Sequence, residues 1–284
     1  MNPAQVDRSP LVAAREVIFE CGELDAAEVT VCVTLHDYES FIVDALESVH
    51  AQTLPATGLV VLDDCSRDNG PARVERWLRR FGDRLAGACL ARHVENAGLA
   101  RTRNGAIDLA RSEFVMILDA DNQLYPRCVE RLLGSLAGSD YGFAYPIIER
   151  FGDYQLLMGT SSWDVEMLRD ENYIDAMALI RKETWQKVGG YERMNIGGWE
   201  DFDFWCKCIE AGLQGLLVPE ILARYRVHGS SMLARETNRG PNAERVRREM
   251  RARHPWLRLG AVGSDAASIP DPPRAEEPVR ERGR

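Results

Sequence analysis

The sequence predicts an α/β domain with a mostly parallel central sheet flanked by helices. Three observations lead there. Between Val29 and Leu118, short β-rich runs alternate with runs of helical spacing, the pattern of strand–helix–strand units. The strand-like runs are apolar almost throughout, as strands buried on both faces are. Polar residues collect where those runs end, at Thr34 and His36, Asp63 and Asp64, and Asp119 and Asp121. Sheets of this kind bind ligands at the carboxyl ends of their strands.

The elements follow in order. Residues 1–28 read as a helical lead-in. Val29–Leu35 (VTVCVTL) is the first strand. Phe41–Val49 has helical spacing, with Phe41, Ala45, Leu46 and Val49 on one stripe. Leu59–Leu62 is the second strand. Pro71–Phe81 is a helix with Val74, Trp77, Leu78 and Phe81 apolar, and Pro71 suits its first turn. Leu85–Arg92 is a strand, Leu99–Ala110 a helix, and Phe114–Leu118 the fourth strand. Beyond these, Gly142–Glu149 and Asp175–Arg181 read as strands. Gly197–Gly212 holds a glycine pair and then a helix, and Leu216–Val227 reads as two short strands around Pro219. The main domain is expected over 29–235, with a C-terminal helix in 236–259. Residues 260–284 are Pro-rich, charged and poor in large apolar side chains, so a disordered tail is expected there.

Bulk properties narrow the function. The 284 residues are 45% hydrophobic and 28% charged, ordinary for a globular protein. A net charge of −9 argues against a general nucleic-acid surface. No apolar run approaches the ~18 to 20 residues of a membrane span, and the N-terminus lacks the apolar stretch of a secretory signal. The seven cysteines are odd in number and scattered, which reads as reduced thiols. Cys206 and Cys208 lack the second Cys/His pair of a zinc site. A cytoplasmic protein is expected, with peripheral contact to the inner membrane face left open.

Five stretches carry chemistry. In VMILDADNQLYP (Val115–Pro126) an apolar strand ends on Asp119 and Asp121. Residues i and i+2 of an extended segment point the same way, and paired hard oxygens suit Mg²⁺ or Mn²⁺. A plain turn also explains acids after a strand. In VVLDDCSRDNGP (Val60–Pro71), paired acids precede a turn; ligand hydrogen bonding and simple turn capping both fit. In ENAGLARTRNGAIDLA (Glu95–Ala110), Gly98 permits close backbone approach, and Arg101 and Arg103 offer forked donors. In IGGWEDFDFWCKCIEAG (Ile196–Gly212), Glu200, Asp201 and Asp203 crowd a helix start, where negative charge is favoured in any case. In YRVHGSSM (Tyr225–Met232), His228 follows a strand, and neutral imidazole can ligate Mn²⁺.

Taken together, these stretches resemble family 2 glycosyltransferases with the GT-A fold, over roughly Val29 to Met232. TVCVTLHDYESFIVDALESVHAQT is similar to the family's opening strand and helix, VVLDDCSRDN to its V-D-D-x-S-x-D turn, and NAGLARTRNGAI to its N-x-G-x-x-x-A-R-N-x-G loop. FVMILDADN is similar to its D-x-D strand, and GGWEDFDFW to its G-x-E-D-x-D segment. The resemblance implies an inverting, metal-dependent transferase moving a sugar from a nucleotide donor, with a UDP-sugar expected. It places Asp64, Thr34 and His36 on the nucleotide, with Asp63 supporting the turn. Arg103 falls at the base or diphosphate, and Asp119 at the ribose. Asp121 and His228 fall at Mn²⁺ or Mg²⁺, Asp201 as the base, and Glu200 beside it. Implied acceptors are glycans, lipid-linked sugars, peptides or small molecules. Departures are Cys65 for a commoner glycine, His36 for a common tyrosine and Asn122 for a frequent third acid. The alternatives are a catalytically degenerate GT-A binding module and a sugar-nucleotidyltransferase. The latter lacks its Gly-rich triphosphate loop here.

Overall fold

The computed structural model describes residues 11–229, Ser231, Thr237 and 241–260. In chain order the elements are β1 (Arg15–Gly22), β2 (Val29–Leu35), α1 (Ile42–His50), β3 (Thr57–Asp63), α2 (Gly70–Phe81) and β4 (Gly87–His93). Next come α3 (Leu99–Leu109), β5 (Phe114–Asp119), β6 (Gln123–Leu124), α4 (Cys128–Leu136), β7 (Phe143–Gly152) and β8 (Leu156–Met158). The chain continues through α5 (Val165–Leu168), β9 (Leu179–Arg181), α6 (Lys182–Val188), α7 (Glu200–Glu210), β10 (Gly215–Val227) and α8 (Asn242–Arg253). Short 3₁₀ turns at Leu24–Ala26 and Gly82–Arg84 complete the first half.

One mixed sheet runs in the order β1-β4-β3-β2-β5-β9-β7-β10-β6, with β8 beside β7. Its centre, β4-β3-β2-β5, is parallel. The parallel expectation therefore holds for these four strands, while β1 at the sheet edge runs antiparallel to β4. The second half adds antiparallel neighbours, with β9 lying between β5 and β7 and antiparallel to both.

Side-chain alternation splits the core into two layers. On β2, Val29, Val31, Val33 and Leu35 pack with α1, α2 and α4 on one face. On the same strand Cys32 faces the other way, where it joins residues of α3, α6, α7 and α8. Phe114, Met116 and Leu118 of β5 repeat the first face, and Val115 and Ile117 the second. This alternation decides what the strand ends present, because Thr34 and Asp119 continue the face covered by α3.

Several expectations are corrected. Residues 15–22, read as part of a helical lead-in, form β1, which pairs antiparallel with β4. The Val17–Phe19 run favours strand, and the open edge of β4 offers backbone partners that a lone helix would leave unsatisfied. Residues 1–10 lie outside the described set. Asp175–Arg181 is a strand only from Leu179. Leu216–Val227 is one strand, not two; its register with β7 shifts between Val218 and Ile221, around Pro219. Proline has no N–H for the ladder, and an irregularity of this kind accommodates it. The C-terminal helix is shorter than 236–259, spanning Asn242–Arg253. Apart from Gly260, the expected tail lies outside the described residues. All seven cysteines are free thiols.

Candidate active site

The carboxyl edge of the central strands gathers the acids. Thr34 and Asp119 are register partners on adjacent parallel strands, and the Thr34 hydroxyl donates to Asp119 Oδ1 at 2.8 Å. From α3, the Arg103 guanidinium reaches Asp119 Oδ2 at 3.0 Å. Arg103 is buried, 4% exposed, and lies over the Tyr191 ring at 5.4 Å. It therefore sits beneath Asp119, not out on the surface as a free clamp. Burial pulls its pKa down, but Asp119, Tyr191, Asp201 and Glu200 outweigh that and hold it above its ordinary value.

Asp121 is buried, and its Oδ2 lies 2.9 Å from His228 Nε2. The end of β10 is tied to the D-x-D turn by neighbouring bonds. Arg226 N donates to Asn122 Oδ1 at 2.9 Å, and Arg226 Nε to the Asp121 carbonyl at 3.0 Å. These clamps deliver His228 to Asp121 across more than a hundred residues of chain. Asn122 thus clamps the end of β10 to this turn. The His228 ring packs 4.9 Å from Phe41 and 5.9 Å from Tyr38. Burial raises the Asp121 pKa first, His228 opposes this, and Asp119 adds to the rise.

The paired acids at the end of β3 look inward. Asp63 is fully buried, accepts from Ser66 N at 3.2 Å, and pairs with Arg92 Nε at 3.3 Å. Asp64 Oδ1 accepts from Ala97 N at 2.7 Å and contacts His93 Nδ1 at 2.8 Å; Oδ2 accepts from Gly98 N at 2.8 Å. Its carboxylate thus anchors the Asn96–Gly98 loop, where Gly98 takes φ +84°. Burial opposes the charge, yet these three bonds hold the Asp64 pKa below its ordinary value. His36 Nδ1 meets the Asp64 carbonyl at 2.7 Å, and its side chain is 47% exposed. Cys65 adopts φ +60°, a left-handed backbone that glycine takes without strain. We expect Asp64→Ala to lower stability by about 3 kcal/mol, since it strands buried donors. Urea unfolding of the two proteins measures this.

Across the site stands the start of α7. Glu200 is buried and its Oε2 accepts from Gly198 N at 2.7 Å, closing the entry to its own helix. Asp201 is half-buried, with Oδ1 accepting from Phe202 N at 2.8 Å and Oδ2 facing Asn172 Nδ2 at 3.4 Å. Burial, then Asp175, push its pKa up to about 7, while Arg103 opposes. Asp203 is structural. It pairs with Lys207 at 3.3 Å, and with Arg253 and His254 at 3.2 Å, fastening α7 to α8.

Asp175, Asn172 and Arg150 escaped the sequence reading. Asp175 precedes β9, and burial, then Asp119, raise its pKa to about 6 although Met177 N donates to it. The signal was the one seen at Asp119, an acid bordering an apolar run, but at the start of the run. Asn172 and Arg150 carry no such signal.

Among the described residues, no group of three His, Cys, Asp or Glu side chains is placed to hold a metal unaided. The Asp121–His228 pair could offer a metal two ligands from the protein. That fits a divalent ion whose other positions are filled by phosphate oxygens and water. A hollow of about 350 Å³ beside Tyr141, Arg181 and Leu213 lies at the amino ends of β7 and β10, away from this cluster. Among the described residues, no helix is long and apolar enough to cross a membrane.

The backbone is similar to S. aureus TarS 1-349 in complex with UDP-GlcNAc, with TM-score 0.67 and 16% identity, over 82% of this chain and 68% of that one. It is also similar to the mannosyltransferase PcManGT from Pyrobaculum calidifontis in complex with GDP-Man and Mn²⁺, with TM-score 0.60 and 22% identity, over 85% and 67%. The architecture is that of a GT-A glycosyltransferase. The model of the family described as "Glycosyl transferase family 2" matches residues 30–209, and the chain belongs to that family. Among relatives, "Putative glycosyltransferase EpsH" of Bacillus subtilis (strain 168) is 28% identical over 179 residues, covering 61% of this chain. The chain spans about half that relative's length, 49%. "Uncharacterized glycosyltransferase MJ1057" of Methanocaldococcus jannaschii is 20% identical over 216 residues, covering 72% of this chain and 73% of its own.

Proposed function

We propose that the protein transfers a sugar from a nucleotide-diphosphate donor to an acceptor hydroxyl, with inversion, using Asp201 as general base. One observation carries this reading. The Thr34–Asp119–Arg103 group and the Asp121–His228 pair converge at the strand ends, and Arg103 links them electrostatically to Asp201.

In this reading Asp119 faces the donor's ribose, held rigid by Thr34 and Arg103. His36 is the exposed group at the nucleotide. Asp64 acts through the loop it anchors, because three donors already occupy its carboxylate. Asp121 and His228 would hold Mn²⁺ or Mg²⁺, which when bound supplies Lewis-acid neutralisation of the diphosphate. Asp201 Oδ2 takes the proton of the acceptor hydroxyl as that oxygen bonds to the anomeric carbon. The bond from that carbon to the diphosphate oxygen breaks, and the nucleoside diphosphate leaves with its electron pair. A single displacement inverts the centre. Glu200 keeps the helix entry in place, so Asp201 stays aimed at the acceptor.

UDP is the proposed nucleotide, following the resemblance and the TarS complex; PcManGT with GDP-Man makes GDP the comparison to run. Calorimetry with UDP, GDP, dTDP and CDP, each with Mn²⁺ and with EDTA, tests this. Tight binding of UDP lost in EDTA is expected; no binding of any of the four overturns the reading. The pH dependence follows from Asp201. The base acts ionised, and its pKa stands at about 7. Accordingly kcat/KM should rise with pH through about 7 and level off above it. A profile already flat from pH 5 would remove Asp201 from the role.

A further inference from the structure

Beside Asp201 lies a cleft of about 280 Å³, walled by Arg150, Met158, Thr160, Met167, Asn172 and Tyr173 among others. The volume is just under the ~300–1,000 Å³ of small-molecule sites, so it suits one sugar ring rather than an oligosaccharide. Its walls are built, not accidental. The Tyr145 hydroxyl donates to the Ser161 carbonyl and the Tyr173 hydroxyl to the Ser162 carbonyl, both at 2.9 Å. Gly159, at φ +71°, lies so close to β7 that an added Cβ would stand 3.0 Å from the Pro146 carbonyl oxygen. Asn172 belongs both to the cleft and to the base, whose Oδ2 it faces at 3.4 Å.

Arg150 supplies the charge. Its Nε meets Met158 Sδ at 3.2 Å and its Nη1 the Tyr154 hydroxyl at 3.0 Å. It forms no ion pair among the described residues, whereas Arg103 is committed to Asp119 at 3.0 Å. The acid on the cleft wall, Glu171, is exposed. Asp175 feels the Arg150 charge at longer range, but among the described residues no carboxylate lies within ion-pair distance of it, so this half-buried guanidinium can still donate to the oxygen of a carboxylate or phosphate.

We propose that this cleft is the acceptor subsite, and that Arg150 selects an acceptor whose sugar carries an anionic group, carboxylate or phosphate. The proposal rests on Asp201 being the base, as argued above. The test uses the full chain saturated with Mn²⁺ and the nucleoside diphosphate it binds, UDP or GDP, so that the donor site is filled. Glucose, glucuronic acid and glucose 6-phosphate are then titrated, with binding read by saturation-transfer NMR. Both or either of the anionic sugars should bind at least tenfold tighter than glucose, and the tighter of the two identifies the source of the charge. Arg150→Gln should abolish that preference. Thr160→Trp, a substitution at an exposed wall position, should block all three sugars, and it decides the matter alone if Arg150→Gln does not fold. Equal affinity for glucose, or a preference unchanged in either variant, overturns the proposal. Absence of Mn²⁺-dependent nucleotide binding defeats the functional reading instead; nucleotide binding without anion preference defeats only this one.

Discussion

Asp201→Asn is expected to bind Mn²⁺ and nucleotide as the parent does and to lose transfer by roughly 10²–10⁴-fold, the range of general-base contributions. The amide cannot take the proton, yet it preserves shape and hydrogen bonding at the start of α7. Radiolabelled sugar transfer and nucleotide calorimetry separate the two effects, and transfer at the parental rate would sink the assignment. A second consequence concerns stability. The folded pKa of Asp201, about 7, lies above the ordinary carboxylate value. The folded protein therefore holds a proton that the unfolded chain releases. The stabilisation is present below about pH 4 and is lost as pH rises through about 7. Asp201→Asn removes that loss, so its Tm should exceed the parent's at pH 8 and approach it at pH 4. A variant inactive but more stable at high pH is what a residue kept for chemistry should produce.

Asp121→Ala is expected to weaken Mn²⁺-dependent nucleotide binding by more than about 100-fold, beyond the 10–100-fold typical of residues that merely support a metal ligand. Its carboxylate is buried beside Asp119 and His228, so removal eliminates the hard oxygen a divalent ion needs. The variant with Mn²⁺ should match the parent in EDTA. Equal affinity of the two proteins with Mn²⁺ present would take Asp121 out of the metal site. The fold should survive, since the turn is independently held by Asn122 and Arg226.

How much of this was legible beforehand follows from the range of each interaction. The central strands and their helices were readable because their signal is local. Val29–Leu35 and Phe114–Asp119 are apolar runs, and α1 and α2 show their stripes within a dozen residues. β1 carries little such local signal, because its stability comes from the edge of β4, some seventy residues away. Pro219 reads locally as a break in β10, and no local rule shows that its partner strand absorbs the irregularity.

The site divides the same way. Which residues have suitable chemistry was visible: Thr34, Asp64, Arg103, Asp119, Asp121, Asp201 and His228 all stand out as types in position. What each one touches was not. Asp64 reads as a ligand-facing acid, but the loop after β4 folds back and takes up its carboxylate. Arg103 reads as a clamp, but the α3-covered face of the sheet places it under Asp119. Asp175 reads as a strand start, and only the packing of β9 beside β5 brings it near Asp201.

By itself, then, the sequence determined the α/β class, the strand ends where ligand chemistry collects, and the residue types available there, since propensity and periodicity act over short stretches of chain. Tertiary structure alone decided the partners of each acid, the raised pKa of Asp201 and the cleft beside it. Burial and charge proximity depend on which distant segments meet, and no local pattern encodes that.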